Sequence, residues 1–78
     1  MVVVYTTSSC GWCRLAKQYL DQKGVSYEEV DIAQNPARMA ELVFKSSQTG
    51  VPVIDVNGTI VVGYNPSALE RALEQISQ

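Results

Sequence analysis

Histidine is missing altogether, and cysteine occurs only twice, at Cys10 and Cys13. Two sulfurs and no imidazole cannot complete a tetrahedral zinc shell within one chain, which excludes a zinc site in a monomer. Lysine and arginine together number 6 against 8 acidic residues, and they form no cluster. Such a balance offers no landing surface to nucleic acid or to an anionic membrane. Long apolar runs are also lacking: Val2 to Val4 is far too short to span a bilayer, and no basic segment leads into a signal-type apolar core. The expected location is therefore the cytoplasm, with no membrane partner. Repeats, low-complexity stretches and linkers are absent, so residues 1–78 read as one domain. That is near the small end of what folds without staples, and nearly half of the residues are apolar and available for a core.

What the chain does have is concentrated in Thr6 to Cys13, Thr-Thr-Ser-Ser-Cys-Gly-Trp-Cys, which joins a β-branched run to an amphipathic helical pattern. A Cys-x-x-Cys where a strand hands over to a helix, in a short chain without a secretory signal, reads as a redox pair of the thioredoxin-like kind. A reducing compartment suits cysteines that react rather than crosslink. Residues three apart on a helix have Cβ atoms about 5–6 Å apart, against roughly 3.5–4.5 Å in a disulfide. Local tightening is enough to bridge Cys10 and Cys13, and so small a ring is easily reduced.

Cys10 is assigned the attack and Cys13 the resolution of the mixed disulfide. At a helix N-terminus, unpaired N–H groups and the dipole favour an anion and so a thiolate. Lowering a thiol pKa from about 8.5 to about 7 gives roughly 16-fold more thiolate at pH 7, but costs about 6-fold in intrinsic nucleophilicity. The greater benefit is a good leaving group when the mixed disulfide is resolved. Trp12, between the cysteines on a helix tip, reads as an exposed contact surface, and Lys17 as part of a solvated helix face.

Met1 to Tyr5 is apolar and β-branched, as in a strand covered on both faces. After the cysteines, Cys13, Ala16 and Leu20 share one helical face, with Trp12, Leu15 and Tyr19 beside them, and Lys23-Gly24 closes the helix. Val25 to Ile32 is expected as a second strand, with Val25, Tyr27, Val30 and Ile32 inward and a slip of register at Glu28-Glu29. Asn35-Pro36 reads as cap and first turn of a helix running to Lys45 that buries Met39, Leu42 and Val43; Phe44 fits that stripe poorly. Ser46 to Gly50 is a loop, and Val51-Pro52-Val53-Ile54 opens a third strand. Asn57-Gly58 signals a two-residue hairpin to a fourth strand ending at Gly63-Tyr64. Asn65-Pro66, with Ser67 and Glu70 as a competing capping box, starts a last helix in which Leu69, Ala72, Leu73 and Ile76 keep helical spacing. The order β-α-β-α-β-β-α, a right-handed βαβ unit plus a hairpin and a covering helix, predicts an α/β fold with a four-stranded mixed sheet and three helices, the thioredoxin-like core.

These residues together resemble a glutaredoxin over essentially the whole chain. The matching pieces are Val-Tyr-Thr-Thr-Ser-Ser-Cys-Gly-Trp-Cys, Tyr-Glu-Glu-Val-Asp-Ile, Gly-Val-Pro-Val-Ile, Asn-Gly and Val-Gly-Tyr, in that order. The resemblance implies a cis bond at Val51-Pro52 facing the cysteines, with the Val51 backbone pairing to a peptide or to glutathione. It also implies that Gly63, Tyr64, Asn65 and Ser67 hold the γ-glutamyl carboxylate of glutathione and that Gln48 meets its glycine carboxylate, with Thr7, Gly11 and Trp12 flanking the sulfur. Departures are Thr7 in place of a common lysine, Gly50 in place of the usual threonine, Val62 in place of the first paired glycine, and Asn65-Pro66 in place of an acidic residue. A glutathione site would then rest on backbone N–H groups and a helix N-terminus.

The leading expectation is a monomeric dithiol oxidoreductase that reduces protein disulfides and glutathione mixed disulfides, with no tightly bound cofactor and glutathione as co-substrate. One alternative is an electron-donor redoxin for ribonucleotide reductase recharged by thioredoxin reductase. Its usual Trp-Ser-Gly-Phe-Arg-Pro ending is not matched here. A binding alternative is a dimer bridging an iron–sulfur cluster through Cys10 and two glutathiones, for which the small Gly11 is suited. A third is a sensor that docks a partner only when Cys10 and Cys13 are oxidised.

Overall fold

The computed structural model describes residues 1–76; the side chain of Ile76, expected on the inner face of the last helix, lies outside the described residues. Strands β1 (Val2–Thr6), β2 (Tyr27–Asp31), β3 (Val53–Val56) and β4 (Thr59–Val62) alternate with helices α1 (Gly11–Gln22), α2 (Met39–Ser46) and α3 (Pro66–Ile76). The sheet order is β2-β1-β3-β4. β1 pairs parallel with β2, and β3 pairs antiparallel with both β1 and β4, which makes the thioredoxin-like mixed sheet.

Both faces of β1 are buried, and the alternation of its side chains separates two cores. Val2 and Val4 join Ile54, Val56 and Val61 under α1 and α3, which contribute Ala16, Leu20, Leu69 and Ala72. Val3 and Tyr5 join Val30, Ile32 and Val53 under α2, which contributes Leu42. Fully burying a leucine stabilises the fold by about 1.5–3 kcal/mol. Leu42 is the single buried side chain of α2, against three in α1.

α1 ends in a Schellman motif: the Gly24 N–H donates to the Asp21 carbonyl and the Val25 N–H to the Leu20 carbonyl, while Val25 packs on the core beside Leu20. The apparent register slip in β2 is a strand serving two faces. Glu28 pairs with Arg38 below α2, and Glu29 pairs with Lys17 of α1. The hairpin turns at Asn57-Gly58 with positive φ at both, and the Gly58 N–H donates to Asp55 Oδ1 at 2.7 Å.

The second helix differs from its expected form. Pro36–Arg38 is a 3₁₀ turn, and the α-helix proper begins at Met39. Asn35 stands at the N-cap of that turn with Pro36 first, and its carbonyl accepts the Arg38 N–H at 2.9 Å, but its side chain makes no capping bond: its amide donates to the Asp31 carbonyl, while Asp31 Oδ1 takes the Ala33 and Gln34 N–H groups. The Asn35 side chain is engaged with the backbone four residues upstream, a local bond that competes with capping. Val43 is 38 % exposed rather than buried, and Phe44 is 90 % exposed. The flank of α2 toward β1 and β3 is instead polar. Tyr5, itself buried, donates to Glu41 and accepts from Lys45 Nζ at 2.7 Å; Lys45 also meets Asp55 at 2.7 Å, and Arg38 grips Glu41 at 2.7 and 2.9 Å. Burial, and then the Glu41 hydrogen bond, push the Tyr5 hydroxyl pKa up. Hydrogen bonds from Arg38 and then Tyr5 bring Glu41 down to about 2.

At α3 the capping box is not used. The helix starts at Pro66, and Asn65 Oδ1 accepts the Ala68 N–H at 3.2 Å, which leaves Ser67 inside the first turn. Proline at the first helical position needs no N–H partner, which favours this start over one at Ser67.

Candidate active site

The cysteine turn begins where β1 runs out. The Cys10 N–H donates to the Thr7 carbonyl at 3.3 Å, closing the turn, and Cys10 becomes the N-cap of α1 in extended backbone geometry. In place of the usual hydroxyl or carboxylate oxygen, the cap acceptor is sulfur: Cys10 Sγ accepts the Cys13 N–H at 3.1 Å. One of the orphan donors of the helix is thereby aimed at the sulfur, where it stabilises negative charge. Cys10 is half-buried, and both cysteines are free thiols.

Cys13 is fully buried on the inner face of α1. Burial pushes its thiol pKa up, and the hydrogen bond and charge of Cys10 add to that, while the Thr6 hydroxyl and the Thr7 backbone pull the other way. Thr6 is the one buried polar side chain among the described residues. Thr6 carries no part of the Cys-x-x-Cys spacing. Its signal was available: a hydroxyl at the end of an otherwise apolar buried strand, directly before the cysteine turn.

The second wall is the segment after α2. The Val51-Pro52 bond is cis, as the resemblance implied, and the Val51 carbonyl oxygen lies 4.0 Å from Cys10 Sγ. Pro52 is buried, and its carbonyl accepts the Gly63 N–H at 2.8 Å, which ties the end of β4 to the same place. Trp12 is 63 % exposed and stacks on Tyr64, with ring centroids 6.1 Å apart and planes at 28°. Tyr5 belongs to the core under α2.

The structure thus brings Thr7, Cys10, Cys13 and Val51 around one sulfur, Pro52 and Gly63 behind it, and Trp12 and Tyr64 together on one flank. Gly11 is exposed with open space where a Cβ would project. Asn65 caps α3, and Ser67 is exposed with no side-chain hydrogen bond among the described residues. Gln48 is folded back onto the Gly50 backbone rather than turned outward. No group of three or more Cys, Asp or Glu side chains is gathered as metal ligands among the described residues. No helix among them is long and apolar enough to cross a membrane.

A half-exposed sulfur capping a helix, a buried sulfur one turn on and a cis-proline opposite define a thioredoxin-fold dithiol protein. The chain belongs to the glutaredoxin family, whose model matches residues 2–61 and whose members are thiol–disulfide oxidoreductases. It is 44 % identical over 72 residues to a glutaredoxin of Pseudomonas aeruginosa, covering 91 % of this chain and 86 % of that one. It is 35 % identical over 75 residues to an uncharacterized glutaredoxin-like 8.6 kDa protein in the rubredoxin operon of Clostridium pasteurianum, covering 96 % and 100 %. The crystal structure of a glutaredoxin from Archaeoglobus fulgidus superposes with a TM-score of 0.85 at 25 % identity, covering 92 % of this chain and 84 % of that one.

Proposed function

We propose that the chain reduces protein disulfides and glutathione mixed disulfides through Cys10 and Cys13. The observation that carries this reading is the asymmetry of the pair: Cys10 Sγ is reachable and holds a helix N–H at 3.1 Å, whereas Cys13 is buried with its thiol pKa raised. Cys10 as thiolate attacks one sulfur of the substrate disulfide. That S–S bond breaks, and the departing thiolate takes a proton from water. The Cys10 charge and its acceptor role vanish in the mixed disulfide, removing two of the influences that keep Cys13 protonated. Cys13 then loses its proton to solvent and attacks Cys10 Sγ, expelling the second substrate thiolate and leaving a Cys10–Cys13 disulfide. Two electrons from glutathione or from a reductase restore the dithiol.

Substrate contacts follow the walls of the site. An extended peptide or glutathione pairs with the Val51 backbone next to cis-Pro52, with Thr7, Gly11 and Trp12 around the sulfur. Gly63, Tyr64, Asn65 and Ser67, at the N-terminus of α3, receive the γ-glutamyl end. The protein acts as a cytoplasmic monomer with no tightly bound cofactor.

One observation favours recharging by thioredoxin reductase over glutathione. Lys17, Lys23, Arg38 and Lys45 are engaged with Glu29, the Tyr19 ring, Glu28 and Glu41, and Asp55, respectively. Arg71 lines a groove between β4 and α3. Among the described residues, Arg14 is the one cation of α1 without an ion-pair or ring partner, so two glutathione carboxylates find little positive charge there. NADPH consumption tests both readings, coupled in one assay to glutathione and glutathione reductase and in another to thioredoxin reductase. Cys10→Ser is expected to fall to background in both. Cys13→Ser is expected to keep the glutathione-dependent removal of glutathione from a mixed disulfide and to lose reductase-coupled turnover. Equal activity of the two variants in the mixed-disulfide assay would overturn the roles.

A further inference from the structure

The loop between α2 and cis-Pro52 contains a contact that neither the resolution chemistry nor the glutathione reading uses. Gln48 Oε1 accepts the Gly50 N–H at 2.8 Å, and Gln48 Nε2 donates to the Gly50 carbonyl at 3.1 Å. One side-chain amide satisfies both backbone groups of a single residue, in the donor-and-acceptor pattern by which a neighbouring strand would pair with it. The amide packs tightly against Gly50: a Cβ there would lie 2.7 Å from Gln48 Oε1, so the glutamine would have to shift to accommodate it. Upstream, the Ser46 hydroxyl sits between the carbonyls of Leu42 at 2.7 Å and Gln48 at 3.1 Å, and Ser47 closes α2 in the left-handed region. The loop is therefore tied to α2 at one end and folded on itself at the other. The next residue is Val51, half-buried, whose backbone has no backbone partner among the described residues and whose carbonyl faces Cys10 Sγ.

We infer that Gln48 is a positioning and specificity-determining residue: by clasping both backbone groups of Gly50 it holds the Val51 backbone at the angle a substrate needs and leaves Val51 as the residue beside Cys10 able to pair. The inference rests on the oxidoreductase reading above, in which Val51 receives an extended peptide. It replaces a direct contact of Gln48 with a substrate carboxylate. With Gly50 masked, an incoming chain pairs across a single residue. Sequence beyond that residue is then read by side-chain contacts such as the Trp12–Tyr64 stack rather than by a longer backbone ladder.

Two substitutions open the clasp by different routes. Gln48→Ala removes the side chain, while Gly50→Ala is expected to displace it from the Gly50 backbone and to leave the glutamine in the loop. KM and kcat are measured for a disulfide-bonded peptide, after thermal melts show both variants folded. Each variant is expected to raise KM about three- to tenfold with kcat within about twofold, as suits the loss of solvent-facing hydrogen bonds. The double variant is expected to be no worse than either alone, because both break one contact. If Gly50→Ala keeps the wild-type KM while Gln48→Ala loses it, Gln48 touches substrate directly and the inference is wrong. Losses that add in the double variant, or no change in either single variant, overturn it as well.

A wild-type chain inactive on every disulfide would instead bring down the oxidoreductase reading. For that case a second readout stands apart from turnover. Amide exchange followed by NMR is expected to show a protected Gly50 N–H in the wild type and an unprotected one in Gln48→Ala. An unprotected Gly50 N–H in the wild type overturns the clasp whatever the activity.

Discussion

Under α2, charge is satisfied within the chain: Arg38, Glu41, Lys45, Asp55 and the Tyr5 hydroxyl form one connected network. At the carboxyl end of β1 the pattern is reversed. Among the described residues, Cys10 Sγ has a single N–H donor and the Val51 backbone has no backbone partner, while Trp12 stands in solvent. The two regions are separated only by the thickness of the sheet, since Tyr5 faces α2 while Thr6 faces the cysteines. Polar groups that close on one another hold the fold, and those with capacity to spare are the ones a substrate can satisfy.

The sharpest way to break that contrast is to attack α2 through its one buried side chain. Leu42→Ala is expected to cost about 2–5 kcal/mol, a large share of the roughly 5–15 kcal/mol total of a typical domain. The denaturant midpoint reads this, with the m-value unchanged. A loss below about 1 kcal/mol would mean that the ion network, rather than Leu42, holds α2.

A smaller effect comes from titrating the network. Glu41 is lowered from 4.5 to about 2, and Asp55 is lowered as well: burial raises Asp55, and the Lys45 hydrogen bond and the Gly58 N–H more than offset it. Both carboxylates have folded pKa values below their unfolded ones. The stability they contribute is therefore present above about pH 4.5 and lost as pH falls toward 2. The groups are partly exposed, so the slope is modest. Glu41→Gln is expected to flatten the acid limb of the midpoint-against-pH curve; an acid limb as steep as that of the wild type would remove the network from the account.

Much of this was legible in the chain. The Cys10-Cys13 spacing, the Lys23-Gly24 stop and the Asn57-Gly58 turn are local signals whose physics involves only near neighbours, and each element formed where they placed it. What could not be read depended on distant partners. The partners of the Tyr5 hydroxyl, Glu41 and Lys45, lie 36 and 40 residues away, beyond any local signal. Asn35 keeps the N-cap position before Pro36, but its side chain turns back to the Asp31 carbonyl, a choice of partner that spacing alone does not decide. Gln48 has the residue type that suits a carboxylate contact, yet it folds inward into the space left by the missing Cβ at Gly50. Phe44 defied its helical stripe because it does not face the core at all.

The division of labour between the two sulfurs is most directly tested by alkylating the reduced protein with limiting iodoacetamide near neutral pH and locating the label by peptide mass spectrometry. Cys10 is expected to be modified first and nearly to completion, with Cys13 labelled only after denaturation. Labelling of Cys13 at the same rate as Cys10, or ahead of it, would contradict the account.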